Sequence, residues 1–303
     1  MKKILKYGFV LVLLTALMPC TRLRAQVDAQ YSQFYANRLF YNPAAIHSDG
    51  LFRVSLTDRE QYWGTPNHPS YRLLNASYFF QEQKMGVGLT VHQWNANIEN
   101  DIDIKASYMY RLQVGYDAYF NFGLGIGMIH RFLSRGTLPD GSGYVPGEED
   151  FEKFNPNLDM GLGVEFHTSH ILAGVSVQHF PIKLGDNPAR AALHSYYYFG
   201  YNFGLDENWA LFPMVVVRMG DRRTNVDVNV RALYRDIVNF GVSYRIDAVS
   251  VMAGVNINKN FSLSYAFDYN IGVTSHTYKP SHELILTYRA NWKKKGRPLL
   301  RFD

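Results

Sequence analysis

The chain has 303 residues with 31 basic and 26 acidic side chains, and aromatic residues make up 15% of it, mostly Tyr (22) and Phe (20). That length suits one large β domain or two ordinary ones. The low charge content (19%), with no basic face along the body, excludes a nucleic-acid-binding footprint, and the lack of any run of about twenty apolar residues beyond the N-terminus excludes a spanning helix there.

Residues 1–25 read as a signal peptide. Lys2, Lys3 and Lys6 form its basic start, Tyr7 to Met18 its apolar stretch, and a cut after Ala25 leaves Gln26 first. Cys20 offers a lipoprotein cut instead, which Pro19 directly before it argues against; a retained anchor is the other alternative, and the stretch is short for a span. This segment holds five basic residues and no acid, so the remainder has 26 of each sign and no net charge. The remainder has no cysteine, which fits an oxidising compartment. Residues 26–50 carry Tyr31, Phe34, Tyr35, Leu39, Phe40 and Tyr41, too apolar a set for a free tail.

Residues 51–292 alternate apolar and polar side chains with period two. Phe261, Leu263, Tyr265, Phe267 and Tyr269 fall on one face, and Ser262, Ser264, Ala266, Asp268 and Asn270 on the other. The pattern predicts strands at 51–58, 71–80, 85–94, 101–112, 117–130, 157–167, 171–180, 194–204, 209–218, 224–234, 237–245, 249–257, 261–270 and 282–292. Most have the length needed to cross a bilayer core at a tilt, and aromatics gather near their ends. A soluble β-sandwich also alternates, but with shorter strands. The expected fold is therefore all-β: a transmembrane outer-membrane barrel of about fourteen antiparallel strands, with 26–50 periplasmic or plugging the lumen.

The connections set an orientation. With both termini in the periplasm, 59–70, 95–100, 131–156, 181–193, 219–223, 246–248 and 271–281 face outward, and tight turns at 81–84, 113–116, 168–170, 205–208, 235–236 and 258–260 face inward.

On the polar face lie Arg53, Lys105, Arg111, Glu165, Asp227, Arg231, Asp268, Glu283 and Arg289, which suit a hydrated, charge-balanced lumen or a selective ion path. The same face carries Gly86, Gly88, Gly123, Gly125, Gly127, Gly161, Gly163 and Gly174. Strand glycines allow a barrel to bend, or let another backbone approach. The second possibility makes a patch that accepts the segment 26–50, and a crosslink between cysteines at Tyr35 and Gly125 tests it.

Catalytic signals are weak. There is no G-x-S-x-G, H-E-x-x-H or phosphate loop. His194 and Ser195 are strand neighbours that point to opposite faces. His167 and His170 flank a turn, where solvent-exposed histidines are expected and a third metal ligand is missing. Glu148, Glu149 and Asp150 match no calcium-loop spacing. No enzyme, cofactor or metal is expected. The basic tail 293–303 reads as a solvated end or a partner-binding tail.

Motifs near the start carry a family resemblance: Gln26-Val-Asp-Ala-Gln30-Tyr31-Ser32-Gln33-Phe34, then Asn42-Pro43-Ala44-Ala45, then Arg59-Glu-Gln-Tyr-Trp63-Gly64-Thr-Pro66. Together they resemble the PorP/SprF family of Bacteroidota outer-membrane proteins. Ala29 stands where that family usually has Pro, and Tyr62 separates Gln61 from Trp63. The resemblance implies a part in type IX secretion and gliding motility. It implies partners as well: outer-membrane lipid, a secreted adhesin or its C-terminal domain, and periplasmic ring lipoproteins. It further marks Gln30, Tyr31, Gln33, Phe34, Asn42, Pro43, Arg59, Trp63, Gly64 and Pro66 as candidate binding residues. A diffusion channel or transporter is the alternative.

Overall fold

The computed structural model describes residues 29–134, 136–137, 143–144, 157–180, 193–220, 223–271 and 279–290. The segment 1–25 expected to be a signal peptide, the start of the first motif (26–28), the run Glu148–Asp150, Trp292 and the tail 293–303 lie outside the described residues.

Fourteen strands cross the barrel: β1 (Phe52–Glu60), β2 (Ser70–Phe80), β3 (Met85–Ala96), β4 (Glu99–Gln113), β5 (Tyr119–Leu133), β6 (Asn157–His167), β7 (Ile171–Gln178), β8 (His194–Tyr201), β9 (Trp209–Gly220), β10 (Arg223–Tyr234), β11 (Val238–Arg245), β12 (Ala248–Asn256), β13 (Phe261–Asn270) and β14 (Ser281–Ala290). After Asn202, β8 resumes as the two-residue piece Phe203–Gly204, and both parts pair with β9. Every strand is antiparallel to its sequence neighbours, and β1 pairs with β14 from Phe52↔Ala290 to Glu60↔His282. Closure leaves no strand edge to aggregate. A two-residue hairpin, Gly136–Thr137 with Gly143–Tyr144, lies apart between β5 and β6.

Successive strand side chains point to opposite faces, so alternation sorts them into an outer and an inner wall. Val226, Val228 and Val230 of β10 are exposed, while Asp227, Asn229 and Arg231 between them are buried. All nine ionisable residues named from the polar face are buried in the interior. The outer wall exposes large apolar side chains on strand after strand, among them Leu56, Val87, Leu89, Ile104, Phe122, Leu162, Val215, Val251 and Leu284. So large an apolar surface marks contact with lipid.

The rim at which β1 begins is called the near rim here and the opposite one the far rim. The apolar belt reaches the near-rim turns, where Phe80, Tyr110 and Leu112 are exposed. Along β1 and β2 it stops short of the far rim, where Arg72 and Asp58 form an outward-facing pair (3.3 Å), whereas Tyr244, Ile246 and Tyr269 remain exposed at that rim on the opposite part of the wall. Two of the far-rim connections, 95–100 and 219–223, are shorter than the alternation implies. Connection 95–100 is largely strand, with only 97–98 outside the ladders; of 219–223, residues 219, 220 and 223 are strand and 221–222 lie outside the described residues; and 246–248 reduces to the two turn residues 246–247. Beyond the belt, outward residues need not be apolar. The hydrophobic alternation therefore fades at polar residues such as Asn95 and Asn100 while the backbone pairing continues. At the near rim, β10 and β11 join through Arg235 and Asp236, both with positive φ, and Ile237 N donates to Tyr234 O (2.9 Å). Positive φ at both central residues is the two-residue turn that matches strand twist.

Inside the barrel runs the segment from Ala29 to Gly50. It contains one short helix, α1 (Arg38–Tyr41), and nearly every residue from Ala29 to Ala45 is buried. Gln30 touches Arg245 near the far rim, and Asp49 touches Arg53 near the near rim. The segment thus descends the lumen from far rim to near rim before β1 turns back up.

Candidate functional site: the plugged lumen

Two devices hold this plug. The first is an ionic cluster in the far half. Arg59 of β1 pairs with Asp268 of β13 (2.6 Å) and Glu283 of β14 (3.2 Å), and all three are almost fully buried. Ser32 of the plug sits between them. Its hydroxyl donates to Asp268 (2.7 Å) and accepts from Arg59 (2.9 Å), and its amide donates to Glu283 (2.7 Å), as does that of Gln33 (3.0 Å). Arg245 links the cluster to Gln30 (3.1 Å) and lies 3.7 Å from Asp268. A buried charge is tolerable only when paired and hydrogen-bonded, and the plug backbone supplies part of that pairing.

The second device is aromatic packing. Phe34 stacks on Tyr41 (4.9 Å), Tyr31 meets Phe40 edge-on (5.7 Å), and Tyr41 packs on Tyr196 of β8 (5.0 Å). The Tyr41 hydroxyl accepts from Tyr31 N (3.0 Å) and donates to Ala29 O (2.8 Å), while its carbonyl accepts from Ser176 (2.7 Å) and Gln178 (2.9 Å) of β7. Arg218 of β9, paired with Asp227, lies over the Phe34 and Tyr41 rings.

Several glycines mark where the plug meets the wall. A Cβ at Gly123 would collide with the backbone of Pro43 and Ala44, coming within 2.6 Å of Ala44 Cα. One at Gly163 would strike Asn42, one at Gly86 would stand 2.9 Å from Ile46, and one at Gly88 would stand 3.0 Å from Leu39. At Gly125 the plug leaves ordinary room, with Pro43 Cβ 3.6 Å away, and the close neighbour is the Lys105 stem at 3.1 Å. Gly161 makes space for Gln178, Gly174 for Tyr198, and Gly127 for the carbonyl of Ile104 on the adjacent strand, so these three accommodate the barrel's own atoms. The cysteine pair Tyr35 and Gly125 is the wrong one: Tyr35 lies across the lumen, with the Arg231 guanidinium 3.8 Å from its ring centre, and Pro43 lies over Gly125. The plug coils irregularly, so sequence position does not tell which wall a residue meets.

Asn42 closes the bend after α1. Its side-chain oxygen accepts from Ala44 N (2.9 Å), and its amide donates to Tyr198 (3.0 Å) and Val164 O (3.2 Å). Tyr198 also donates to Glu165, which pairs with His167 and lies 3.9 Å from Arg38. His167 is therefore mostly buried beside a carboxylate, a correction to the exposed turn histidine expected, because it shares the inward face of Glu165 two residues earlier on the same strand. His170 does stand in the exposed turn, bonded to Ser169. Among the described residues no group of three or more His, Cys, Asp or Glu is placed to hold a metal. In the near-rim turns the Ser169 hydroxyl and amide hold the exposed Asp117 carboxyl below its usual range.

The candidate residues thus divide. Gln30, Tyr31, Gln33, Phe34, Asn42, Pro43 and Arg59 meet in the lumen. Trp63, Gly64 and Pro66 sit in the far-rim loop between β1 and β2, where Trp63 is 57% exposed and packs on His282 (4.7 Å). Gly64 has φ +84°, and its carbonyl accepts from Lys279 (2.9 Å). Ser32 and its acidic partners were not singled out from sequence as a set. The register offers one clue, since Arg59 and Glu283 stand directly opposite on β1 and β14.

Residues 23–288 match the family described as type IX secretion system membrane protein PorP/SprF. The chain belongs to the PorP/SprF family. It is an outer-membrane β-barrel and a membrane component of that secretion system, so the machinery and membrane lipid are its surroundings. Solved structures similar to this PorP/SprF barrel include the P. putida toluene transporter TodX, with 12% identity over 86% of this chain and 95% of that one and a TM-score of 0.53. A TodX deltaS2S3 mutant, a monoaromatic hydrocarbon channel, matches at 10% identity over 84% and 94%, TM-score 0.54. At such identities the likeness is one of barrel architecture alone. No curated protein matches the sequence.

Proposed function

We propose that this PorP/SprF protein is a docking platform: a non-catalytic barrel that supports secretion or surface anchoring of a large adhesin-type protein in gliding or a related surface activity. The observation that carries this reading is the plug. A lumen crossed by a segment fixed through Arg59, Asp268 and Glu283, and through the Tyr41 contacts, is built to stay filled.

In this reading residues 1–25 are a Sec signal, the near rim faces the periplasm and the far rim faces outward. The apolar belt along β1 and β2 supports that orientation, because there it meets the short near-rim turns and ends below the far rim. The far-rim surface around Trp63 and Pro66 then meets the adhesin or its C-terminal domain, and the near-rim turns and tail meet periplasmic ring lipoproteins.

Affinity capture from the native envelope in mild detergent tests this. Recovery of a surface adhesin or ring lipoproteins is expected, and their absence would count against docking. The competing reading, a diffusion channel, draws on the many charged side chains of the inner wall. It requires a large, steady conductance in planar bilayers, whereas a docking barrel with a seated plug gives little or none.

A further inference from the structure

The lipid belt is not equally tall around the wall. On β1 the outward apolar run is Phe52, Val54 and Leu56, and it ends at Asp58. On β2 it runs from Phe80 back to Leu74 and ends at Arg72. On β11 it runs from Val238 through Tyr244 to Ile246 in the turn, and on β13 from Phe261 to Tyr269. A strand rises about 3.3 Å per residue and tilts by about 40°, so the runs cover roughly 10 Å on β1, roughly 15 Å on β2 and roughly 20 Å on β11 and β13. An outer-membrane barrel ordinarily presents a band of about 25 Å, so the sector at β1 and β2 is the short one.

Toward the far rim the short sector ends in a polar row: Asp58, Arg72 and Gln93 stand side by side on β1, β2 and β3. Arg72 lies 3.3 Å from Asp58 and 3.8 Å from Glu60, and Glu60 meets His68 (2.8 Å). The Asp58 and Arg72 side chains are each more than half exposed. The tall sector ends in an apolar row: Tyr244, Val249 and Tyr269 stand side by side on β11, β12 and β13, and both tyrosines are exposed. At the near rim the sectors match. Phe80 on β2, Ile237 and Ile257 at the near ends of β11 and β12, and Phe261 on β13 are all exposed. A tilted barrel would show opposite offsets at its two rims, and this one has its offset at the far rim alone. Both rows continue the belt that faces lipid, so lipid is what covers them. Outward charges cost least at the interface, and a bilayer thins to meet a short apolar span.

We propose that this barrel thins the bilayer on one side: the leaflet at the far rim dips along β1 and β2, so that lipid head groups meet Asp58 and Arg72, and keeps its full height along β11, β12 and β13. The dip stands independently of the docking reading, since it depends on the outer wall and not on a partner. It leaves Trp63 and Pro66, in the loop between β1 and β2, clear of the head groups.

The test uses the full chain carrying Cys20→Ser, in dioleoyl phosphatidylcholine vesicles with no other protein. A nitroxide is attached in turn through Arg72→Cys, Tyr269→Cys and Tyr244→Cys toward the far rim, and through Phe80→Cys and Phe261→Cys at the near rim. Its depth is read from its collision rate with a water-soluble nickel chelate relative to that with oxygen. This ratio is expected to be several-fold higher for the label at Arg72 than for those at Tyr269 and Tyr244, and alike for those at Phe80 and Phe261. The label at Tyr244 carries the comparison if Tyr269→Cys does not fold. Equal ratios at Arg72, Tyr244 and Tyr269 would mean a level leaflet and would overturn the proposal. So would an offset of the opposite sense between Phe80 and Phe261, which a tilted barrel gives.

Discussion

Gly123→Ala is the sharpest test of how the plug is seated. The added methyl would stand 2.6 Å from Ala44 Cα and closer still to the Ala44 amide and Pro43 carbonyl carbon. Ordinary carbon contacts are about 3.5–4.0 Å, so the plug must retreat by about 1 Å. Ala44 is tied to Asn42, whose amide bonds to Tyr198 (3.0 Å) and Val164 O (3.2 Å) would then stretch past useful length. Two hydrogen bonds at about 1 kcal/mol each plus an overpacking cost of at least about 1 kcal/mol give about 3 kcal/mol, or roughly a hundredfold in the unseated population.

Gly125→Ala is the control. Its methyl meets Lys105 Cδ at 3.1 Å, a flexible stem, and Pro43 at ordinary distance. The readout is the labelling rate of Ala45→Cys, a buried plug position, by a water-soluble maleimide, since the rate follows local opening. Gly123→Ala should label far faster than the parent protein and Gly125→Ala about as fast as it. Equal rates in the two glycine variants would refute the close approach of Ala44 to β5.

Other substitutions probe the wall. Arg59→Gln leaves Asp268 and Glu283 buried without their cation and should cost about 3–5 kcal/mol in thermal or denaturant unfolding. Arg72→Gln breaks a half-exposed outer pair and should cost about 1 kcal/mol or less. Gly127→Ala would press on the Ile104 carbonyl and Lys105 Cα, so barrel stability should fall in a melt while Ala45→Cys labelling under native conditions changes less than in Gly123→Ala. Val228→Arg, in the exposed middle of β10, should cost about 2–4 kcal/mol in folding into vesicles, whereas a polar replacement at the inward Asn229 should cost less.

Much of this architecture is legible because a barrel wall repeats one rule. Each strand must show lipid one side and the lumen the other, so Phe261 to Asn270 declares both its conformation and its faces. The glycines are legible for a related reason: an inward position without a side chain, as at Gly123 and Gly163, implies something close inside. What fails to register is whatever lipid does not enforce. The polar strand ends around Asn95 to Asn100 look like a loop because only hydrogen bonds hold them. The four residues of α1 are too few for a helical period. The contact of Ser32 with Glu283 joins positions 251 residues apart, and nothing in the spacing between them specifies it. His167 ends its predicted strand, yet the sequence does not show that Glu165, two residues back on the same face, draws its ring inward.

The central claim is that the plug stays in place while the protein works. Pro43→Cys with Gly125→Cys tests it in living cells, because the Cβ positions lie 3.6 Å apart, within the span of a disulfide of about 3.5–4.5 Å. The chain's single natural cysteine, Cys20, lies within the proposed signal segment 1–25. The measurement is surface display of the proposed adhesin-type cargo when the disulfide is formed and again after reduction. A docking platform predicts equal display in the two states. Loss of display in the locked state, restored by reductant, would show that the lumen must open and would contradict the account.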